Sequence, residues 1–213
     1  DVPGIHSICP HPAREAELLL AISCGGAWKT EDGGTNWRNS SRGMRANYMP
    51  PEHVDNPNTQ DPHRVVRCPS VPDILWCQHH GGIWRSVDNA ANWTEVTGAP
   101  LSGFGFAVAV HPRDADTAWF VPGVADQQRV PVGAALAVNR TRDGGRSFQT
   151  LRQGLPQAQC YDLVYRHGLD VAADGETLLM GTTTGHVYAS DDAGDSWHRL
   201  EANLPPIAAV RFG

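Results

Sequence analysis

The chain has 213 residues, 40% apolar and 19% charged, which excludes a disordered protein and leaves ample material for a buried core. Its 17 Lys and Arg against 23 Asp and Glu give a formal charge of −6, which opposes a duplex-binding role because such a role needs a basic face against phosphate. No apolar run approaches the roughly 20 residues of a membrane-spanning helix, and the longest, such as Leu18–Ile22, are strand-sized.

Taken in chain order, an apolar run at Ile5–Cys9 predicts a first strand, closed by Pro10. A strand pair follows at Leu18–Ser23 and Ala27–Thr30, and runs into Thr30-x-Asp32-x-Gly34-x-x-Trp37. The same order returns at Val65–Cys68, Ile74–Gln78 and Ile83–Ser86, then Ser86-x-Asp88-x-Ala90-x-x-Trp93. It returns again at Phe106–Val110, Ala118–Pro122 and Leu136–Thr141, then Thr141-x-Asp143-x-Gly145-x-x-Phe148. A fourth copy runs through Tyr161–Tyr165, Thr177–Gly181 and His186–Ser190 into Ser190-x-Asp192-x-Gly194-x-x-Trp197. Ile207–Phe212 then repeats the pattern of a first strand. Irregular insertions at Gly43–Pro62 and Gly123–Gly133 are positions for specificity-bearing loops. No segment sustains a helical period.

The repeated motif has a structural explanation. Asp32, Asp88, Asp143 and Asp192 can accept hydrogen bonds from backbone N–H groups of the following turn, and the glycine supplies a positive φ. Ser or Thr ends the incoming strand, and Trp37, Trp93, Phe148 or Trp197 starts the next one and plugs the apolar layer. These aspartates are therefore expected to be structural and not catalytic. Ala90 replaces the glycine of the second copy, which predicts an altered turn or a strained residue there.

The motifs, repeating at roughly 50 residues, resemble the Asp-box or BNR repeat of sialidase-like β-propellers, including uncharacterised bacterial proteins labelled glycosyl hydrolase-like. His79-His80-Gly81-Gly82-Ile83-Trp84-Arg85-Ser86 and Phe104-Gly105-Phe106 carry that resemblance as well. It implies an all-β propeller of four-stranded antiparallel blades over about 1–43, 44–98, 99–153 and 154–204, with a closing inner strand in 205–213. A chain of this kind is expected to be the C-terminal portion of a larger ring, one that associates with missing blades or with itself. The alternative is a closed four-bladed ring. The resemblance also implies a possible glycoside hydrolase of the exo-sialidase type. Such enzymes use three arginines, a Tyr nucleophile with a Glu partner, an Asp acid/base and a Phe/Tyr-Arg-Ile-Pro motif, and that tetrapeptide does not occur here. Arg45, Arg64, Arg67 and Arg166, with Tyr48, Tyr161 and Tyr165, are available, but their spacing assigns them no role.

The favoured reading is a binding propeller that holds a carbohydrate or protein ligand at the channel mouth and in the loop around Glu52–His63. His6, His63, Arg64, His79, His80 and Asp61 are the candidate ligand-binding residues. The two first-strand histidines, His6 and His63, enter the channel, and His79 and His80 end the adjacent strand of the second copy. Converging imidazoles can take a metal or a carboxylate, but no H-x-H or H-E-x-x-H spacing supports a metal, so neither metal nor other cofactor is expected. A glycosidase would need two carboxylates, and Glu52, Asp55, Asp61 and Asp162 are the candidates. The five cysteines, an odd number with no C-x-x-C pair, read as small buried hydrophobes on strands. With no N-terminal leader pattern in this sequence, they lean the expectation toward the cytoplasm and leave the compartment open.

Overall fold

The computed structural model describes residues 3–201 and 204–213. Three sheets are four-stranded and antiparallel, each in simple sequence order, as short strands joined by tight turns favour. The first contains β1 (Ile5–His11), β2 (Arg14–Ile22), β3 (Gly26–Thr30) and β4 (Arg38–Asn39). The second contains β5 (Pro62–Arg67), β6 (Leu75–His79), β7 (Gly82–Ser86) and β8 (Thr94–Val96). In the third, β9 (Gly105–Val110) and β10 (Ala118–Ala125) are followed by β11 (Gln128–Pro131), β12 (Val138–Thr141) and β13 (Gln149–Leu151). The fourth contains β14 (Leu169–Val171), β15 (Leu178–Gly181), β16 (Val187–Ser190) and β17 (His198–Leu200). Helical structure among the described residues is limited to two single 3-10 turns, at Pro51–His53 and Val132–Ala134. The chain thus folds as four blades of an all-β propeller.

Two local expectations change. The segment Gly123–Gly133 is largely a hairpin, because β10 extends past Pro122 and pairs with β11 through Gly123↔Pro131. The innermost strand of the fourth blade is Leu169–Val171 and not Tyr161–Tyr165. The Tyr165 carbonyl accepts from Gly168 N–H, so the chain turns before it can lie along β15. The final segment runs beside this inner strand through a single parallel bridge, His167↔Ala209, with Phe212 N–H donating to the Asp170 carboxylate.

The turns follow the motif chemistry. Thr30 Oγ1 donates to Asp32 Oδ1 at 2.8 Å and accepts from Gly34 N–H at 2.9 Å, while Asn36 N–H donates to the same carboxylate oxygen at 2.9 Å. The other three motifs repeat these bonds around Asp88, Asp143 and Asp192. Ala90 keeps the standard turn and accepts a left-handed φ of 61°, beside Asn89 at 58°.

Three apolar layers lie between successive blades, and each takes one in-register row from the later blade. Val65, Cys77 and Trp84 pack against Leu19, Ala21 and Ala27 of the first blade. Val108 and Phe120 pack against Trp76 and Ile83 of the second. Leu169, Met180 and Tyr188 pack against Ala109, Trp119 and Val138 of the third. The matching row of the first blade, Ile8–Leu20–Trp28, meets no such layer among the described residues, and Ile8 is 64% exposed. Trp93 and Trp197 are buried in these layers and Phe148 packs against one, but Trp37 is 37% exposed. Among the described residues no blade lies against that face, so Trp37 plugs no layer within this chain. Four cysteines are buried as small hydrophobes, whereas Cys24 is exposed.

Candidate functional site

The inner strands β1, β5, β9 and β14 surround a cleft of about 900 Å³ lined by His6 and Arg64, and a separate cluster of polar side chains gathers around His63, beside His6. The clustering starts from a repeated bond. His6 Nδ1 donates to the Pro62 carbonyl at 3.1 Å, and His63 Nδ1 donates to the Gly105 carbonyl at 2.7 Å. Each first-strand histidine is thus tied to the first strand of the next blade. Since a carbonyl only accepts, both rings carry their proton on Nδ1 when neutral, and His63 Nε2 is left facing the mouth.

Asp61 stands opposite. Its Oδ2 lies 3.5 Å from His63 Nε2 and 3.4 Å from His80 Nδ1, and its Oδ1 accepts from Cys24 N–H at 3.3 Å. Burial pushes the Asp61 carboxyl up, but His63 and His80 in their protonated forms outweigh it and hold the group well below the usual carboxylate range. Tyr48 lies over the His80 ring with centroids 4.2 Å apart, and Phe106 stacks on His63 at 4.5 Å. The His6 and His63 ring centroids are 6.5 Å apart. Burial, then the charge of Arg166, lowers the His6 pKa. Arg166 itself lies over the Phe106 ring. All four blades and the loop of Tyr48 therefore contribute to one mouth.

The remaining candidates sit elsewhere. His79 is fully buried behind the mouth, where the amides of Asp61 and Gly81 point at its ring nitrogens at 2.9 and 3.0 Å. Burial lowers its pKa to about 3, so it is a neutral brace for the backbone that carries Asp61. Arg64 follows His63 on a strand and faces the other way, into the cleft. Its guanidinium donates to His167 Nδ1, and His167 Nε2 donates to the His6 carbonyl at 2.9 Å. That tautomer makes His167 neutral, in keeping with a pKa lowered by burial and by Arg64. Arg64 is 7% exposed, its Nε has no hydrogen-bond partner, and no carboxylate among the described residues pairs with it. The acidic residue lining the cleft, Asp170, is already engaged by Arg211 and the Phe212 amide.

The other carboxylates are held apart from this arrangement. Asp162 is buried with Thr184, His186 and Tyr188. Asp55 is an exposed partner of Arg45, and Glu52 is exposed on the turn Pro51–His53. Sequence reasoning missed His167 and the backbone groups of Cys24 and Gly105, since no motif marks them.

No family model matches the chain, and no curated protein does. Solved structures do. A xyloglucanase of glycoside hydrolase family 74 from Xanthomonas campestris aligns with a TM-score of 0.67 and 18% identity over 92% of this chain and 29% of its own. An ancestral enzyme of the same family aligns at 0.65 and 18%, over 93% and 24%. The outer-coat vertex of COPII on membranes aligns at 0.64 and 13%, over 94% and 49%. The chain thus spans less than half of each neighbour, and at these identities the likeness is one of fold: the architecture serves both glycoside hydrolases and a vesicle coat.

Proposed function

We propose that this chain is the ligand-binding part of a sialidase-like Asp-box propeller, and that its central cleft takes a small carboxylate-bearing saccharide anchored by Arg64. The observation that carries this reading is the charge of Arg64. A guanidinium that is only 7% exposed, faces a neutral imidazole and has an unpartnered Nε is costly unless an anion meets it. Arg offers a planar fork that matches a carboxylate. His6, which lines the same cleft, would contact the sugar ring. Calorimetric titration of a uronic acid against its neutral parent sugar, in the presence of EDTA, tests the reading. The acid should bind at least about tenfold more tightly, the scale of one charge-assisted hydrogen bond. Arg64→Met should abolish that preference, and Arg64→Lys should retain part of it. Equal binding of both sugars, or an unaltered preference in Arg64→Met, would overturn it. Release of product from the bound saccharide would move the protein to the glycoside hydrolase alternative, which requires a second carboxylate across the cleft.

We also propose that residues 1–213 act as one half-ring unit whose first-blade face docks a further blade, a second copy in the isolated protein. The support is the equivalence of Ile8–Leu20–Trp28 and Trp37 to groups that every other blade covers. Light scattering should give a dimer or larger species, dispersed by Leu20→Glu. A monomeric wild-type chain would refute this part alone.

A further inference from the structure

The geometry of Asp61, His63 and His80 points to a binding site for a divalent first-row transition-metal ion at the channel mouth, with Zn²⁺ as its model occupant. It lies outside the lining of the Arg64 cleft and does not depend on the saccharide reading. The donor atoms, one carboxylate oxygen and two imidazole nitrogens, all lie within 4.8 Å of one another. Bond lengths of about 2.0–2.2 Å at tetrahedral angles separate neighbouring ligand atoms by about 3.3–3.6 Å. The Asp61–His63 and Asp61–His80 pairs are 3.5 and 3.4 Å apart, already at those edges.

Orientation supports the same assignment. His63 Nδ1 is committed to the Gly105 carbonyl, so the lone pair of Nε2 points at the cluster. A backbone carbonyl behind a histidine is the usual outer partner that fixes the tautomer of a metal ligand. Asp61 Oδ1 is committed to the Cys24 amide, so Oδ2 is the oxygen left to coordinate. The two ligand-bearing segments are also joined directly, because His80 N–H donates to the Asp61 carbonyl at 2.9 Å. Each of these bonds restrains a donor before any ion arrives.

Donor type selects the metal. Two imidazoles and one carboxylate suit zinc and its first-row neighbours, whereas calcium and magnesium prefer all-oxygen cages. Three protein ligands leave the fourth position of a tetrahedral site to water or to an oxygen of a bound molecule, and one negative ligand against a divalent ion leaves that site net positive. The side chain of His80, 20% exposed, marks the side from which that position is reached.

The test uses the whole chain, stripped with EDTA and then dialysed free of it. Titration with Zn²⁺ should show one site per chain, and Co²⁺ should give visible absorption of tetrahedral intensity that Zn²⁺ displaces. His80→Ala and Asp61→Asn should each weaken binding by at least about tenfold, the loss seen when even an outer partner of a metal ligand is removed. Substitution of the exposed His198 should change nothing. His80, being partly exposed, is the variant expected to fold normally, and circular dichroism checks that it does. Absence of a one-to-one Zn²⁺ isotherm, or an isotherm unchanged in a folded His80→Ala protein, would overturn the assignment. Because no saccharide is present, failure here leaves the Arg64 reading standing, and the EDTA in the saccharide titration separates the converse case.

Discussion

Glu17 offers the most direct test of how the first two blades are joined. Its side chain is 4% exposed and meets Arg14 at 2.8 Å, Lys29 at 3.5 Å and Arg67 of the second blade at 3.6 Å. It also accepts from Asn89 Nδ2 at 2.9 Å. Lys29 and Arg67 are themselves only 3% and 5% exposed. Replacing Glu17 by Leu leaves two buried cations short of their shared acid, and breaking such a pair costs about 3–5 kcal/mol. Lys29 keeps Glu31 at 3.1 Å, and Arg67 keeps Asn89 at 2.8 Å, so the expected loss falls at the lower end, about 3 kcal/mol. Urea unfolding followed by tryptophan fluorescence measures it. The double variant Glu17→Leu/Lys29→Met should be less destabilised than the sum of its parts, because the second change removes one of the stranded charges. A loss below about 1 kcal/mol, the level of an exposed ion pair, or strict additivity in the double variant would refute the reasoning.

Asp192→Ala should lower stability by about 1–3 kcal/mol through its lost turn hydrogen bonds, with ligand and metal titrations unchanged; a stable variant that loses binding would make the motif functional. Backbone and side-chain hydrogen bonds from Asn36 hold Asp32 at about 2, and bonds from Ser147 hold Asp143 at about 2, against an ordinary value of 3.8. A depressed folded-state pKa adds stability above the unfolded value that is lost as pH falls. Acid titration by circular dichroism should therefore show these turns weakening between about pH 4 and 2, and a shallower decline when both are Asn. Gly154→Ala should prevent folding or destabilise severely, since φ is +79° and the new Cβ would lie 1.7 Å from the Trp197 carbonyl oxygen. Gly33→Ala, at φ +72° in open space, should cost about 1–2 kcal/mol, so comparable midpoints for the two variants would contradict the packing.

The repeating architecture was readable from local chemistry. A motif such as Thr141-x-Asp143-x-Gly145-x-x-Phe148 closes its bonds within a few residues, so its turn follows from its own composition. Strand pairs such as Leu18–Ser23 with Ala27–Thr30 follow from apolar runs separated by glycine. The same locality explains the failures. Tyr161–Tyr165 has the composition of an inner strand, yet the turn at Gly168 and the partners of Asp162 in the next hairpin decide its path. Trp37 matches the other motif aromatics in sequence and differs from them only in having no blade against it.

By itself, then, the sequence determined the all-β class, the four blades and the turn chemistry of the repeated aspartates, all of which rest on contacts between close neighbours in the chain. Only the tertiary structure decided which of those side chains meet. It joined Asp61 to His63 and His80, sent the adjacent Arg64 to the opposite side, and brought His167 across 161 residues to the His6 carbonyl. Such meetings depend on how whole blades stack around an axis, and the apolar layers that fix the stacking leave no mark beside the residues they bring together.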